Sequence, residues 1–205
     1  WMPASEQGLN VRYFGHACVL VQTREVCVLL DPLLPYVAPG GDGTLRLTYT
    51  DLPARIDYVL LTHGHHDHVM IETLLKLRNR IGTIIVARNV PGHLLDPSLK
   101  LLLERLGFTS VREVGEFETL PLPGGELKTL PFLGEHHDLD VQSKICFHLR
   151  LGGHGLMFAA DSCNFGHNIY RHAVDFIGPT DMLFIGMECD GAPVSWVYGP
   201  AFTKK

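Results

Sequence analysis

The sequence has no long apolar run, no basic block and no paired cysteines. Its apolar stretches fall far short of the ~20 residues that a membrane helix needs, and none reads as a signal peptide. Lys plus Arg number 17 against 22 Asp plus Glu, giving a net charge of -5 with histidines neutral. No Lys/Arg-rich face of the kind that holds nucleic acid is legible. Neither nucleic acid nor a membrane is therefore expected as a partner, and a nuclease is a poor explanation for any metal site. The five cysteines (Cys18, Cys27, Cys146, Cys163 and Cys189) are odd in number and show no paired spacing. They predict reduced, mostly buried thiols and a cytoplasmic location. Linkers, low-complexity tracts and tandem repeats are also missing. With 205 residues and 46% hydrophobic content, the expectation is one α/β domain over 1–205 with a sizeable core.

What the chain does have is histidine, 12 in all, and the clustering matters more than the count. Thr62-His63-Gly64-His65-His66-Asp67-His68 follows the apolar run Ile56 to Leu61. Imidazole nitrogens and carboxylate oxygens are the donors that divalent first-row metals prefer. The glycine lets the backbone turn tightly, so that alternate side chains converge. Histidine-rich tracts also occur as tags or weak surface chelators. This one is internal and directly follows a buried-looking strand, which favours a metal site.

Elsewhere the patterns alternate. Short strands are predicted at Val11 to Phe14, Ala17 to Gln22 and Val26 to Leu30, the last ending at Asp31-Pro32. A Pro/Gly-rich surface loop follows, and Asp51-Leu52-Pro53 is expected to start a helical turn. Met70, Leu74, Leu77 and Ile81 have helical spacing and predict a helix capped at its end by Gly82. Thr83 to Ala87 reads as a strand. Asp96-Pro97-Ser98 reads as a cap with proline in the first turn of a second helix, which stops at Gly107. From Val111 onward the pattern is mainly strand, with a helix around Asn168 to Ile177 and a strand at Asp181 to Gly186.

Four apolar strands end on residues able to bind or support a metal. Val26 to Leu30 ends on Asp31, and Ile56 to Leu61 on the His63 cluster. Leu127 to Leu133 ends on Gly134-Glu135-His136-His137-Asp138, and Leu156 to Ala160 on Asp161. A single acid at a strand end is often only a turn former. Four such endings beside a histidine cluster point to one shared site at the carboxyl ends of strands. His63 and His65 would bind one ion, Asp67 and His68 a second, and Asp161 would bridge them. Glu135 or His136 would complete the first ion. Asp31 would hold an imidazole or the loop in place, and His66 would point away.

These residues resemble the metallo-β-lactamase-fold superfamily. The resemblance rests on His63-x-His65-x-Asp67-His68 after an apolar strand, Phe14-Gly15-His16-Ala17, Leu30-Asp31-Pro32 and Asp161. It implies a four-layer αβ/βα sandwich with a dinuclear metal site at one edge. Within the superfamily the chain is most similar to the di-iron β-hydroxylases of chloramphenicol biosynthesis, which carry a glutamate where hydrolases have a third histidine. Glu135 falls where that glutamate is expected, 67 residues after His68 and 26 before Asp161. The resemblance implies two iron ions, O2 as co-substrate and an aminoacyl group tethered to a peptide-synthetase carrier domain. Asp67 and Glu135 are then the expected catalytic residues.

The chain departs from that pattern in two ways. The family has a further histidine well after the bridging aspartate, and this chain runs only 44 residues past Asp161. His167 and His172 lie too close to replace it and read as helix-surface or packing residues. The family's large amino-terminal domain is also missing. A fold incomplete at its C-terminus and a piece cut from a longer polypeptide are therefore expected. Two other functions stay open. One is a zinc- or manganese-dependent hydrolase of a lactone, thioester or phosphoester, with His136 as third ligand and Asp67 orienting the attacking water. The other is a catalytically silent metal-binding fragment.

Overall fold

A computed structural model describes residues 8–34, 47–89, 96–133, 142–162 and 169–186. Two sheets form the centre. The first is ordered β1 (Asn10–Gly15), β2 (Cys18–Gln22), β3 (Cys27–Leu30), β4 (Ile56–Leu61), β5 (Ile81–Ala87) and β6 (Val111–Val114). Its first three strands are antiparallel neighbours, and β3 to β6 run parallel. The second contains β7 (Thr119–Leu122), β8 (Gly125–Pro131), β9 (Ile145–Leu151), β10 (His154–Ala160) and β11 (Met182–Ile185). All its pairings are antiparallel except β10 with β11.

The two-residue period of a strand sends neighbouring side chains to opposite faces, and here both faces are apolar. Val19, Val21, Val28, Leu30, Leu60 and Ile85 meet Leu127, Phe147, Leu149, Leu151, Leu156 and Phe158 between the sheets. Their neighbours Cys18, Leu20, Leu29, Val59, Leu61, Ile84 and Val86 pack outward with Leu74, Leu77, Leu99 and Leu103. Those leucines come from α1 (Ile71–Leu77) and α2 (Leu99–Arg105). On the far side, Leu130, Cys146, Met157 and Ala159 pack with Ala173 and Ile177 of α3 (Ile169–Ile177). Helix, sheet, sheet, helix is the order of layers, the αβ/βα sandwich expected. Cys18, Cys27 and Cys146 are buried. Burial and the nearby Asp57 push the Cys27 thiol up to about 12. No helix among the described residues is long and apolar enough to cross a membrane.

Three local expectations are corrected. The first helix does not reach Gly82: α1 stops at Leu77, a 3-10 turn covers Arg78–Arg80, and β5 begins at Ile81. A Cβ at Gly82 would lie 2.6 Å from the Asp57 carbonyl oxygen, so this glycine permits a close approach of β5 to β4 and caps nothing. The cap of α2 is Ser98, whose Oγ accepts from the Leu101 amide at 3.3 Å. Asp96 instead accepts the amides of Gln142 (2.9 Å) and Ser143 (2.6 Å). Asp51 ends its turn: it closes a capping box with Thr48, accepting that residue's amide at 2.7 Å. The Pro/Gly-rich loop around residues 35–46 lies outside the described residues.

Candidate metal centre

Parallel strands β3 and β4 stop side by side, and β10 stops opposite them. Asp31, Thr62 and Asp161 stand one residue beyond these three ends. Asp31 (φ +35°) and Ala160 (φ +45°) occupy the left-handed region that non-glycine residues rarely visit. His16, after Gly15 in the β1–β2 turn, is a third such residue at φ +50°. Strain of this kind persists only where its surroundings enforce it, and it gathers at functional sites.

Asp31 organises the histidines. Its Oδ1 accepts the Thr62 amide at 2.8 Å, and its Oδ2 accepts the Thr62 hydroxyl at 2.7 Å. A hydroxyl has one proton, and here the carboxylate takes it. Thr62 Oγ1 must therefore accept from Nδ1–H of His63, 2.9 Å away. Asp31 Oδ2 also faces His68 Nδ1 at 2.9 Å. Both imidazoles thus turn Nε2 towards Asp161, whose Oδ2 lies 3.1 Å from His68 Nε2 and 4.0 Å from His63 Nε2. His63, His68 and Asp31 are almost fully buried. Burial opposes a charge on His68, but the hydrogen bonds and charges of Asp161 and Asp31 outweigh it and push this imidazole up to about 10. The same two carboxylates favour a divalent cation at this ring, which would take the place of the proton on Nε2.

Donor atoms of His63, His68 and Asp161 lie within 4.8 Å of one another, and the same is true of His16, Asp67 and His68. The two groups share His68. In the second, His16 Nε2 is 3.4 Å from Asp67 Oδ2. That contact, against an opposing burial effect and with help from His68, holds the Asp67 carboxyl well below the usual carboxylate range. The His65 ring lies edge-on to His63 with centroids 5.0 Å apart, and Phe132 closes the other side of His63 at 5.2 Å. His66 and His172 are exposed. Glu135, its alternative His136, and His167 lie outside the described residues.

Sequence reasoning did not place His16 or Thr62 among the site residues. Thr62 had a signal, as the last residue before the cluster on a buried strand. His16 stood in the Phe14-Gly15-His16-Ala17 stretch that carries the resemblance, but nothing local gave it a role, because the groups it meets are far away in the chain. The donor set, two or more imidazoles with carboxylates on strand ends, fits a divalent metal centre.

Known proteins show the same architecture. The chain is 46% identical over 201 residues to the 4-amino-L-phenylalanyl-[CmlP-peptidyl-carrier-protein] 3-hydroxylase of Streptomyces venezuelae, covering 98% of the chain and 38% of that enzyme. The crystal structure of CmlA, a diiron beta-hydroxylase from Streptomyces venezuelae, superposes with a TM-score of 0.85 at 45% identity, over 98% of this chain and 38% of that one. The chain thus spans well under half the length of these relatives. A more distant relative is the UPF0173 metal-dependent hydrolase ABC2731 of Shouchella clausii, 29% identical over 182 residues, which are 87% of the chain and 68% of that protein. The model of the Beta-lactamase superfamily domain matches residues 27–192, and the chain belongs to that superfamily.

Proposed function

We propose that residues 1–205 form the metal-binding catalytic domain of a cytoplasmic non-haem di-iron oxygenase, one that hydroxylates an aminoacyl group tethered to a peptide-synthetase carrier domain. The observation that carries this reading is the 46% identity to the Streptomyces venezuelae hydroxylase, sustained over 98% of the chain. The donor set agrees, because hard carboxylate oxygens beside imidazoles favour iron or manganese over zinc. In this reading His63, His65, Glu135 and Asp161 hold one ion, and Asp67, His68 and the shared Asp161 hold the other. Two reduced irons would supply the electrons that activate O2.

The chain's own residues bind and orient. Asp31 fixes His68 directly and His63 through Thr62, so both rings present Nε2 without reorganising. Phe132 lies against His63 and keeps water from that side of the site. The test is anaerobic reconstitution with Fe(II), followed by oxygen uptake and mass analysis of a 4-amino-L-phenylalanyl carrier protein. Two irons per chain and a carrier heavier by one oxygen atom are expected. Full zinc occupancy without oxygen consumption overturns the reading.

A second reading has one observation in its favour, the similarity to the Shouchella clausii metal-dependent hydrolase along 87% of the chain. In that case zinc or manganese serves hydrolysis of a small ester or lactone, and His136 replaces Glu135 as ligand. Metal affinities of Glu135→Ala and His136→Ala separate the two, since each reading expects a loss in one variant only.

A further inference from the structure

We infer that Lys144 donates from its ammonium to the acyl oxygen of the substrate, at the rim of the metal centre. The inference rests on the aminoacyl reading above and names a side chain that orients the substrate. Lys144 Nζ stands 5.6 Å from the centroid of the Phe132 ring, and that ring lies 5.2 Å from the ring of His63. The next residue, Ile145, donates its amide to the Thr62 carbonyl at 2.8 Å. The start of β9 is thereby tied to the residue that orients His63. A half-buried cation is thus seated two ring contacts from the metal centre.

Packing alone explains less. A lysine stem can cover an aromatic ring from a loosely held loop, but here the backbone is fixed on both sides. The Lys144 amide donates to the Gln142 carbonyl at 3.0 Å, closing a three-residue turn around Ser143. Buried Asp96 accepts the Gln142 and Ser143 amides. Asn89 Nδ2 donates to Ser143 Oγ at 2.8 Å and to the Asp96 carbonyl at 2.7 Å. Two side chains of the β5–α2 connection therefore hold a turn that carries none of the proposed metal ligands, and the ammonium is what this turn presents. In an amino acid the acyl oxygen lies roughly 3 Å from the β-carbon, and an ammonium donates across roughly 2.8 Å. An ammonium at this rim can hold the acyl oxygen while the β-carbon faces the metals. That oxygen is a thioester carbonyl on a tethered substrate and a carboxylate on a free amino acid, and both accept from an ammonium.

The test is binding to the Fe(II)-loaded protein under nitrogen, where no turnover occurs. The probes are the 4-amino-L-phenylalanyl carrier protein, the same carrier without its aminoacyl group, and free 4-amino-L-phenylalanine. Lys144→Met keeps a stem over Phe132 and removes the donor, whereas Lys144→Arg keeps a charged donor. Lys144→Met should weaken the aminoacyl carrier roughly 10- to 100-fold, with the bare carrier and the iron content as in the wild type. Lys144→Arg should restore most of the lost affinity. The same loss confined to the free amino acid identifies its carboxylate as the oxygen held. Wild-type affinity of Lys144→Met for both amino acid forms overturns the inference. So does a loss of iron, or an equal loss for the bare carrier, because Lys144 would then serve the metals or the carrier and not the acyl group. Failure of the aminoacyl reading itself shows in the wild type, as affinity for neither amino acid form.

Discussion

Asp31 Oδ2 stands 2.9 Å from His68 Nδ1, and the same oxygen accepts the Thr62 hydroxyl at 2.7 Å. One buried carboxylate, 1% exposed, therefore sets two imidazoles on two sides of a strand end. Its position at φ +35° follows from this double duty, because β3 must turn sharply for the side chain to reach across to the end of β4. A residue outside the proposed metal ligands thus decides which nitrogen each ring presents.

Asp31→Asn isolates that role. Asparagine accepts the left-handed backbone, so folding is kept, but its amide cannot accept from Thr62 and His68 as the carboxylate does. Metal affinity should fall roughly 10- to 100-fold, while the melting temperature of the metal-free protein drops by only a few degrees, about 1–2 kcal/mol. Competition titration against a chromophoric chelator measures the first and calorimetry the second. Wild-type affinity in this variant would remove Asp31 from the account.

Asp96 and Ser98 differ in what they hold. Ser98 caps a helix whose Leu101 amide is otherwise open to water, so Ser98→Ala should cost about 0.5–1 kcal/mol. Asp96 is buried and takes the Gln142 and Ser143 amides together. Asp96→Ala leaves both amides without that acceptor and should cost roughly 2–3 kcal/mol. Urea denaturation of the two variants tests the order, and equal midpoints would contradict it.

The layered core was legible because apolar residues at consecutive strand positions, as in Cys18 to Val21, demand burial on both faces. The start of the first helix was legible from Leu74 and Leu77, but its end was not. Ile81 continues the helical spacing and also packs against the same core as the first residue of β5, so periodicity cannot tell the two apart. Arg80 decides it by donating to the Leu52 and Pro53 carbonyls, long-range contacts invisible locally. The site shows the same contrast. The His63 to His68 cluster announces itself within one stretch. The reach of His16 to Asp67 joins two loops of the first sheet, and that of Asp161 to His68 depends on strand ends meeting across the sandwich.

His148 predicts an acid sensitivity. It lies fully buried on β9, with Thr180 Oγ1 3.3 Å from its Nε2. Burial first, then the charges of Arg150 and Lys128, lower it from 6.5 to about 4. The unfolded chain binds this proton more readily, so stability is complete above pH 6.5 and is lost as pH falls towards 4. The loss from this group should be on the order of 2–3 kcal/mol. His148→Gln removes the titration. The stability difference between wild type and variant, measured by urea denaturation at pH 7 and pH 4, should shift in the variant's favour by about that amount. A difference independent of pH would show that His148 charges without penalty in the fold.

Gly186 gives the most direct mechanical test of Asp161. The Gly186 amide donates to the Ala160 carbonyl at 2.6 Å, locking β11 against the strained end of β10. A Cβ at this position would meet Ala160 O at 3.0 Å and Asp161 Oδ1 at 3.1 Å. These contacts are tight enough that the carboxylate or the strand must move by a few tenths of an ångström. Gly186 itself is exposed, so substitution removes no core packing. Gly186→Ala should therefore leave the metal-free melting temperature within a few degrees of wild type and weaken metal binding about tenfold, and Gly186→Val should do so further. A stepwise loss of affinity from glycine to alanine to valine, with folding preserved, identifies pressure on Asp161 as the cause. If affinity is flat across the three, Asp161 is not held where its oxygen and the His68 ring now meet.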